Sequence, residues 1–110
     1  MNPRIASLEK MIDGPRDGAL LRFSLGNEYL KEGALGEAEK CFRNAVDRDK
    51  HYSAAWKALG KTLVDAGQPE EALKAYETGI SVAEVRGDIQ AAKEMTVFAK
   101  RIRKELPASE

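Results

Sequence analysis

The chain has 110 residues, 33% of them charged, with 18 Lys and Arg balanced by 18 Asp and Glu. That length allows one domain or a short array with a modest core, and the balanced charge argues against a role built on a strong field toward nucleic acid or an anionic membrane. The single cysteine, Cys41, has no partner for a disulfide within the chain, no run approaches the ~18 apolar residues of a membrane span, and the opening MNPRIASLEKMIDGPRDG lacks the apolar core of a signal peptide, so a cytoplasmic protein is expected.

A first helix is expected over residues 3–13. Asn2 can cap it, Pro3 suits its first position, and Ile5, Leu8 and Ile12 recur at helical spacing. Gly14-Pro15 breaks the chain. Asp17 is the expected cap of a second helix running to about Glu32, with Leu21, Leu25 and Tyr29 as its buried stripe and Gly33 as the left-handed residue that ends it. A third helix carries Leu35, Ala38, Phe42, Ala45 and Val46 on one side and stops near Asp49. Ser53 is the expected cap of a fourth helix bearing Trp56, Leu59, Gly60 and Leu63, closed by Gly67. Pro69 opens the fifth, with Glu70 and Glu71 in its first turn against the positive end of the dipole. Ala72, Tyr76, Ile80 and Ala83 form its apolar side. Gly87-Asp88 ends that helix and caps the last one, which runs from Ile89 to about Leu106 with cations in its closing turns.

The middle of the chain repeats at a spacing of 34 residues. Leu25-Gly26 recurs as Leu59-Gly60, Gly33 as Gly67, Glu37-Ala38 as Glu71-Ala72 and Lys40 as Lys74, with Phe42 matched by Tyr76 and Val46 by Ile80. Such a period signals stacked helix–turn–helix units, and short connections make neighbouring helices antiparallel. Gly inside a helix costs about 1 kcal/mol relative to Ala, a loss tolerated where two helices approach closely. Ala38 and Ala72 are the expected small partners of these glycines, and Phe42 and Tyr76 are expected to fill the wedge between units.

These two units resemble tetratricopeptide repeats. The first matches at Leu25, Gly26, Tyr29, Ala38, Phe42 and Ala45, the second at Trp56, Leu59, Gly60, Ala72 and Tyr76. Arg22, Leu63 and Gly79 depart from the pattern, and Lys50 and Glu84 stand where the closing prolines would be. The resemblance implies a single all-α domain, a right-handed stack of about six helices. Residues 3–13 form its N-terminal helix, 19–52 repeat one, 53–86 repeat two and 88–106 a capping helix. The capping helix presents Ile89, Ala92, Met95, Phe98, Ala99, Ile102 and Leu106 on one broad face, with Val97 alone on the polar side.

The resemblance also implies function, a protein-binding module whose first helices line a concave groove. The groove positions are then Leu20, Phe23, Asn27 and Leu30 in repeat one and Ala54, Lys57, Lys61 and Val64 in repeat two. Two lysines four apart on a helix repel slightly, so either an anion lies between them or each pairs with a nearby carboxylate. The expected ligand is a protein or peptide segment with an apolar anchor and an acidic side chain or terminal carboxylate. Family members that grip a peptide C-terminus use a Lys and an Asn four apart. Here Asn27 is present but Phe23 holds the Lys place, so that clamp is incomplete.

The alternative is a self-associating scaffold that dimerises through Met95 and Phe98 of the last helix. No enzyme is expected. Cys41 and His51 have no orienting third group at recognisable spacing, no phosphate loop or metal motif occurs, and neither cofactor nor metal is implied. The basic cluster Lys100, Arg101, Arg103 and Lys104 lacks interleaved aromatics, so neither nucleic acid nor membrane is an expected partner.

Overall fold

Six helices follow one another in the computed structural model, which describes residues 2–107: α1 (Pro3–Glu9), α2 (Ala19–Lys31), α3 (Leu35–Arg48), α4 (Ser53–Asp65), α5 (Pro69–Arg86) and α6 (Ile89–Glu105). Each packs mainly on its neighbours in sequence, and α6 also touches α4. The result is a helical repeat stack of 46 × 30 × 22 Å, elongated because each unit contacts only the next.

The helix ends follow from backbone chemistry. Gly33 and Gly67 adopt φ of 73° and 74°, where a side chain would be strained. Ala34 N–H then donates to Tyr29 O and Gln68 N–H to Leu63 O, both at 2.9 Å, satisfying carbonyls the helix leaves open. Asn2 accepts from Arg4 N–H at 2.8 Å, and Asp88 accepts from Ala91 N–H at 3.3 Å. Helix α1 ends at Glu9, short of residue 13, so Ile12 lies in the turns that follow.

Two caps expected from the sequence do other work. Asp17 does not cap α2, whose N-cap is Gly18. Its carboxylate instead receives Arg22 Nε at 2.9 Å and Nη2 at 2.8 Å together with Asp13 N–H at 2.8 Å, and Arg48 stands 3.6 Å away. Paired charges hold that site more firmly than a single cap bond would. Ser53 is the first residue of α4 rather than its cap, and its hydroxyl donates to Asp88 at 3.0 Å, joining the starts of α4 and α6. The departure at Arg22 finds its explanation here. One repeat on, Trp56 Nε1–H donates to Lys50 O at 2.9 Å. Arg22 and Trp56 each tie the first helix of a unit to the connector before it.

The core runs the length of the stack through Leu25, Phe42, Leu59, Leu63, Tyr76 and Met95, all at 2% exposure or less. Both repeat glycines lie against rings rather than against the paired alanines. A Cβ on Gly26 would sit 2.5 Å from Phe42 Cε1, and one on Gly60 2.6 Å from Tyr76 Cε1. Ala38 and Ala72, each 0% exposed, fill the core beside them. On α6 the buried side comprises Ala92, Met95, Ala99 and Ile102. Ile89, expected on that face, is 65% exposed, because α5 ends before covering the first turn.

Candidate functional site

The first helices of the units, α2 and α4, present one edge to the same hollow, and α6 closes its far side. Phe23, Asn27 and Leu30 come from α2, Ala54, Lys57, Ala58 and Lys61 from α4, Glu94 and Phe98 from α6, and Tyr76 reaches in from α5, around a volume of about 420 Å³. Spacing by three and four along each helix places these residues on one face. An adjoining hollow of about 220 Å³ continues past Lys61 and Tyr76 to Val64, Phe98, Arg101, Ile102 and Glu105. On the opposite side Asn27 and Leu30 also line a space of about 780 Å³ walled by Pro3, Arg4, Ser7 and Leu8 of α1. The face therefore runs from α1 to α6 with Asn27 near its middle.

The sequence-derived positions Phe23, Asn27, Leu30, Ala54, Lys57 and Lys61 thus converge, and Val64 joins them next door. Leu20 does not line these hollows. It is 68% exposed, near the start of α2 and beyond the groove's edge. Phe23 is held in place rather than free, its ring tilted against Tyr52 at 5.0 Å and Phe42 at 5.9 Å between centroids, distances at which aromatic pairs attract. Phe98 packs on Tyr76 at 5.5 Å with the Arg101 guanidinium 5.9 Å from its ring centroid. Burial pushes the Tyr76 phenol up to about 12, helped by the Asp65 charge.

Each groove lysine has a carboxylate of its own. Lys57 Nζ donates to Glu94 at 2.9 Å, bridging α4 to α6, and Lys61 Nζ donates to Asp65 at 3.0 Å one turn along the same helix. Their positive charge is therefore met within the chain, the simpler of the two alternatives open at the level of sequence. The two pairs differ in consequence. The first links two helices across the groove, between side chains 40% and 43% exposed. The second is a surface pair within one helix, worth about 0.3–0.5 kcal/mol, which an incoming carboxylate can replace.

Met95 and Phe98 do not form a common outward surface. Met95 is 0% exposed, with its Sδ 2.6 Å from where a Cβ on Gly79 would lie, so the Met95 half of the expected dimer contact is core. Phe98 faces the groove. Glu94, Phe98 and Tyr76 are groove residues that the repeat period missed. Glu94 follows Lys57 by 37 residues, whereas α6 starts 36 residues after α4, so the two stand at different places in their helices. No repeat spacing points to Glu94 or Phe98; packing across the stack brings them to the hollow.

Elsewhere the chemistry is sparse. Cys41 is partly buried, and that burial raises its thiol above the ordinary value, which keeps it protonated and weakly nucleophilic. His51 sits exposed between α3 and α4, its backbone carbonyl accepting from Arg86 at 2.7 Å. Among the described residues no group of three His, Cys, Asp or Glu could hold a metal ion, and no helix is long and apolar enough to cross a membrane.

Comparison with known proteins places this geometry. The family model for the tetratricopeptide repeat matches residues 29–95. The chain is similar to TPR repeat-containing protein PA0015 of Pseudomonas aeruginosa, 45% identical over 98 residues that cover 89% of this chain and 93% of that protein. Its fold resembles the solution structure of protein BPP2914 from Bordetella parapertussis, with a TM-score of 0.80 and 41% identity over 96% of this chain and 91% of that one. A tetratricopeptide repeat domain protein from Salinibacter ruber shares the fold at a TM-score of 0.79 and 24% identity, covering 87% of this chain and 96% of its own.

Proposed function

The chain belongs to the tetratricopeptide repeat family, and we propose that it is a small cytoplasmic adaptor that binds a segment of a partner protein in the hollow between α2, α4 and α6. The family fold generally serves protein–protein interaction and is generally non-catalytic. The observation that carries the reading is convergence. Side chains from four helices line one hollow, with an apolar floor of Phe23, Leu30, Ala58, Tyr76 and Phe98 and a charged rim.

The segment that fits has one apolar side chain to seat between Phe23 and Phe98 and one carboxylate, an acidic side chain or a chain terminus. Lys61 receives the carboxylate, because its pair with Asp65 is exposed, with side chains at 66% and 43%. Lys57 stays paired with Glu94 across the groove. Asn27, at the centre of the face, supplies both a donor and an acceptor for the segment's backbone. Floor contacts provide the affinity and polar groups set register, as in other peptide-binding grooves.

Selection from a random-peptide display library tests this. Binders of the native chain should share an apolar residue close to Asp, Glu or the C-terminus. They should lose binding to Asn27→Arg and weaken about fivefold or less on Lys61→Ala, the range of one exposed ion pair. Selected peptides indifferent to both substitutions would place the binding surface elsewhere.

A further inference from the structure

We infer that the outward side of α6, with the end of α5, is an open docking site for a helix of a partner protein, one carrying carboxylates beside an apolar stripe. The site is distinct from the groove and does not depend on it.

Repetition locates the site. In the first two units, the opening helix is covered by a following helix that seats a ring on a glycine, Phe42 on Gly26 and Tyr76 on Gly60. Helix α6 enters as α4 does, packed on the preceding helix, but among the described residues no helix follows it. Counted from the first residues of the two helices, Ser53 and Ile89, the places of Trp56 and Gly60 fall on Ala92 and Thr96. Ala92 is small, and Thr96, one turn on, fills the place that Gly60 leaves open for a ring, so this slot takes small apolar side chains rather than an aromatic one. With Ile89, Lys93, Val97 and Glu84 the two line an open hollow of about 620 Å³. The Thr96 hydroxyl already donates to Ala92 O at 2.7 Å, so a helix laid there buries no unpaired hydroxyl. Ile89 is 65% exposed and Val97 53%, and Val85, beside Glu84 in the chain, is 80% exposed. Ile89 and Val97 border the hollow themselves, and Val85 stands in the last turn of α5, next to Glu84 in sequence.

Charge selects the occupant. Lys93, Lys100 and Lys104 share a strip of α6 with Ile89 and Val97 by helical geometry. Among the described residues none of the three has an acidic partner, whereas Lys57 and Arg103 do. Pairing two copies of α6 would set these ammonium strips against each other, and like charges at close range repel. A nucleic acid would meet the charge but leave the apolar slot uncovered. An amphipathic helix with carboxylates along its flank satisfies both, and Glu84 on the other lip receives a cation from it, which fixes the helix direction.

The probe is a synthetic peptide of residues 69–86, the helix that fills the equivalent slot on α4, with Tyr76→Ala because Thr96 stands where Gly60 admits that ring, crosslinked between side chains to hold its helix. It carries Glu70, Glu71, Glu77 and Glu84 against Lys74 and Arg86. Titrated into the full-length ¹⁵N-labelled chain, it should shift the amide signals of Ile89, Ala92, Lys93, Thr96 and Val97. The double variant Ile89→Asp, Val97→Asp changes two exposed residues, keeps the fold by circular dichroism and should abolish the shifts. Lys93→Gln with Lys100→Gln should weaken binding about fivefold, the combined range of two surface pairs. Four results would each overturn the proposal: no shifts at millimolar peptide, shifts centred on Phe23 and Lys61, stronger shifts of the same amides by a 20-base-pair DNA duplex, or a dimer in sedimentation that Val97→Asp dissociates.

Discussion

Replacing Gly60 with alanine sets two effects of opposite sign against each other. Alanine is the better helix former by up to about 1 kcal/mol. Its Cβ, however, would lie 2.6, 2.7 and 2.7 Å from Cε1, Cδ1 and Cζ of Tyr76, about an ångström inside the 3.5–4.0 Å at which carbon atoms rest. The ring has little room to swing away, since Tyr76 is 2% exposed and leans on Phe98 at 5.5 Å. Either α4 and α5 part or the ring leaves its rotamer, a strain of about 1–3 kcal/mol. Three atoms in conflict place the substitution in the upper part of that range, so the strain wins and the net loss is about 1–2 kcal/mol. Thermal melting should fall by about 5–10 °C, given roughly 4–8 °C per kcal/mol for a domain near this size. Gly36→Ala is the internal control. Gly36 lies in the first turn of α3, a Cβ there meets nothing within 4 Å, and this variant should melt at or above the native chain. A double-mutant cycle isolates the cause. In a Tyr76→Leu background the ring is gone, and Gly60→Ala should stabilise. Gly60→Ala that matches the native chain, or that destabilises equally in both backgrounds, would refute the close-approach reasoning.

Stability should fall with acid from about pH 4 downward. The Arg22 pair and the Asp13 N–H hold the Asp17 carboxyl well below its ordinary 3.8, and Lys31, with Asn2 and Arg4, lowers Glu28. A depressed carboxyl contributes stability that is present above its unfolded value and lost as it protonates in the fold, so Asp17→Asn should flatten the acid limb of a urea-midpoint series taken from pH 6 to pH 2. At the other extreme, burial pushes Tyr76 up to about 12, and the hydrogen bond to Glu9 does the same for Tyr29. These phenols stay protonated in the fold while the unfolded chain ionises near 10, so stability should decline as pH rises from 10 to 12, and Tyr76→Phe should reduce that decline in a denaturant series monitored by Trp56 fluorescence.

The groove shows how far a repeat period reaches. Phe23 with Lys57 and Asn27 with Lys61 share places in their units, and the hollow contains all four. Leu20 lies outside it, 68% exposed, although its counterpart Ala54 lines the hollow, because the hollow forms between α2, α4 and α6 and only the later turns of α2 border it. Glu94 and Phe98 were out of reach because α6 starts 36 residues after α4, against 34 between α2 and α4, and even after that shift they do not stand at the places of Lys57 and Lys61.

Local chemistry written into the chain determined the helices themselves. Gly33 and Gly67 must take a left-handed conformation, Pro69 can only open a helix, and apolar residues at intervals of three and four define one side to bury. Those constraints act within a turn or two, so the order of residues suffices to set them. Packing between helices decided the rest. Asp17 and Ser53 have the chemistry of caps, but the fold brought Arg22 to one and Asp88 to the other, and charged or distant partners prevailed over local bonds. Met95 reads as surface or core equally well until Gly79 is seen to leave room for its sulfur. Which carboxylate answers each groove lysine, and which side of α6 is left uncovered, depend on distances across the stack, and no pattern along a single chain encodes them directly.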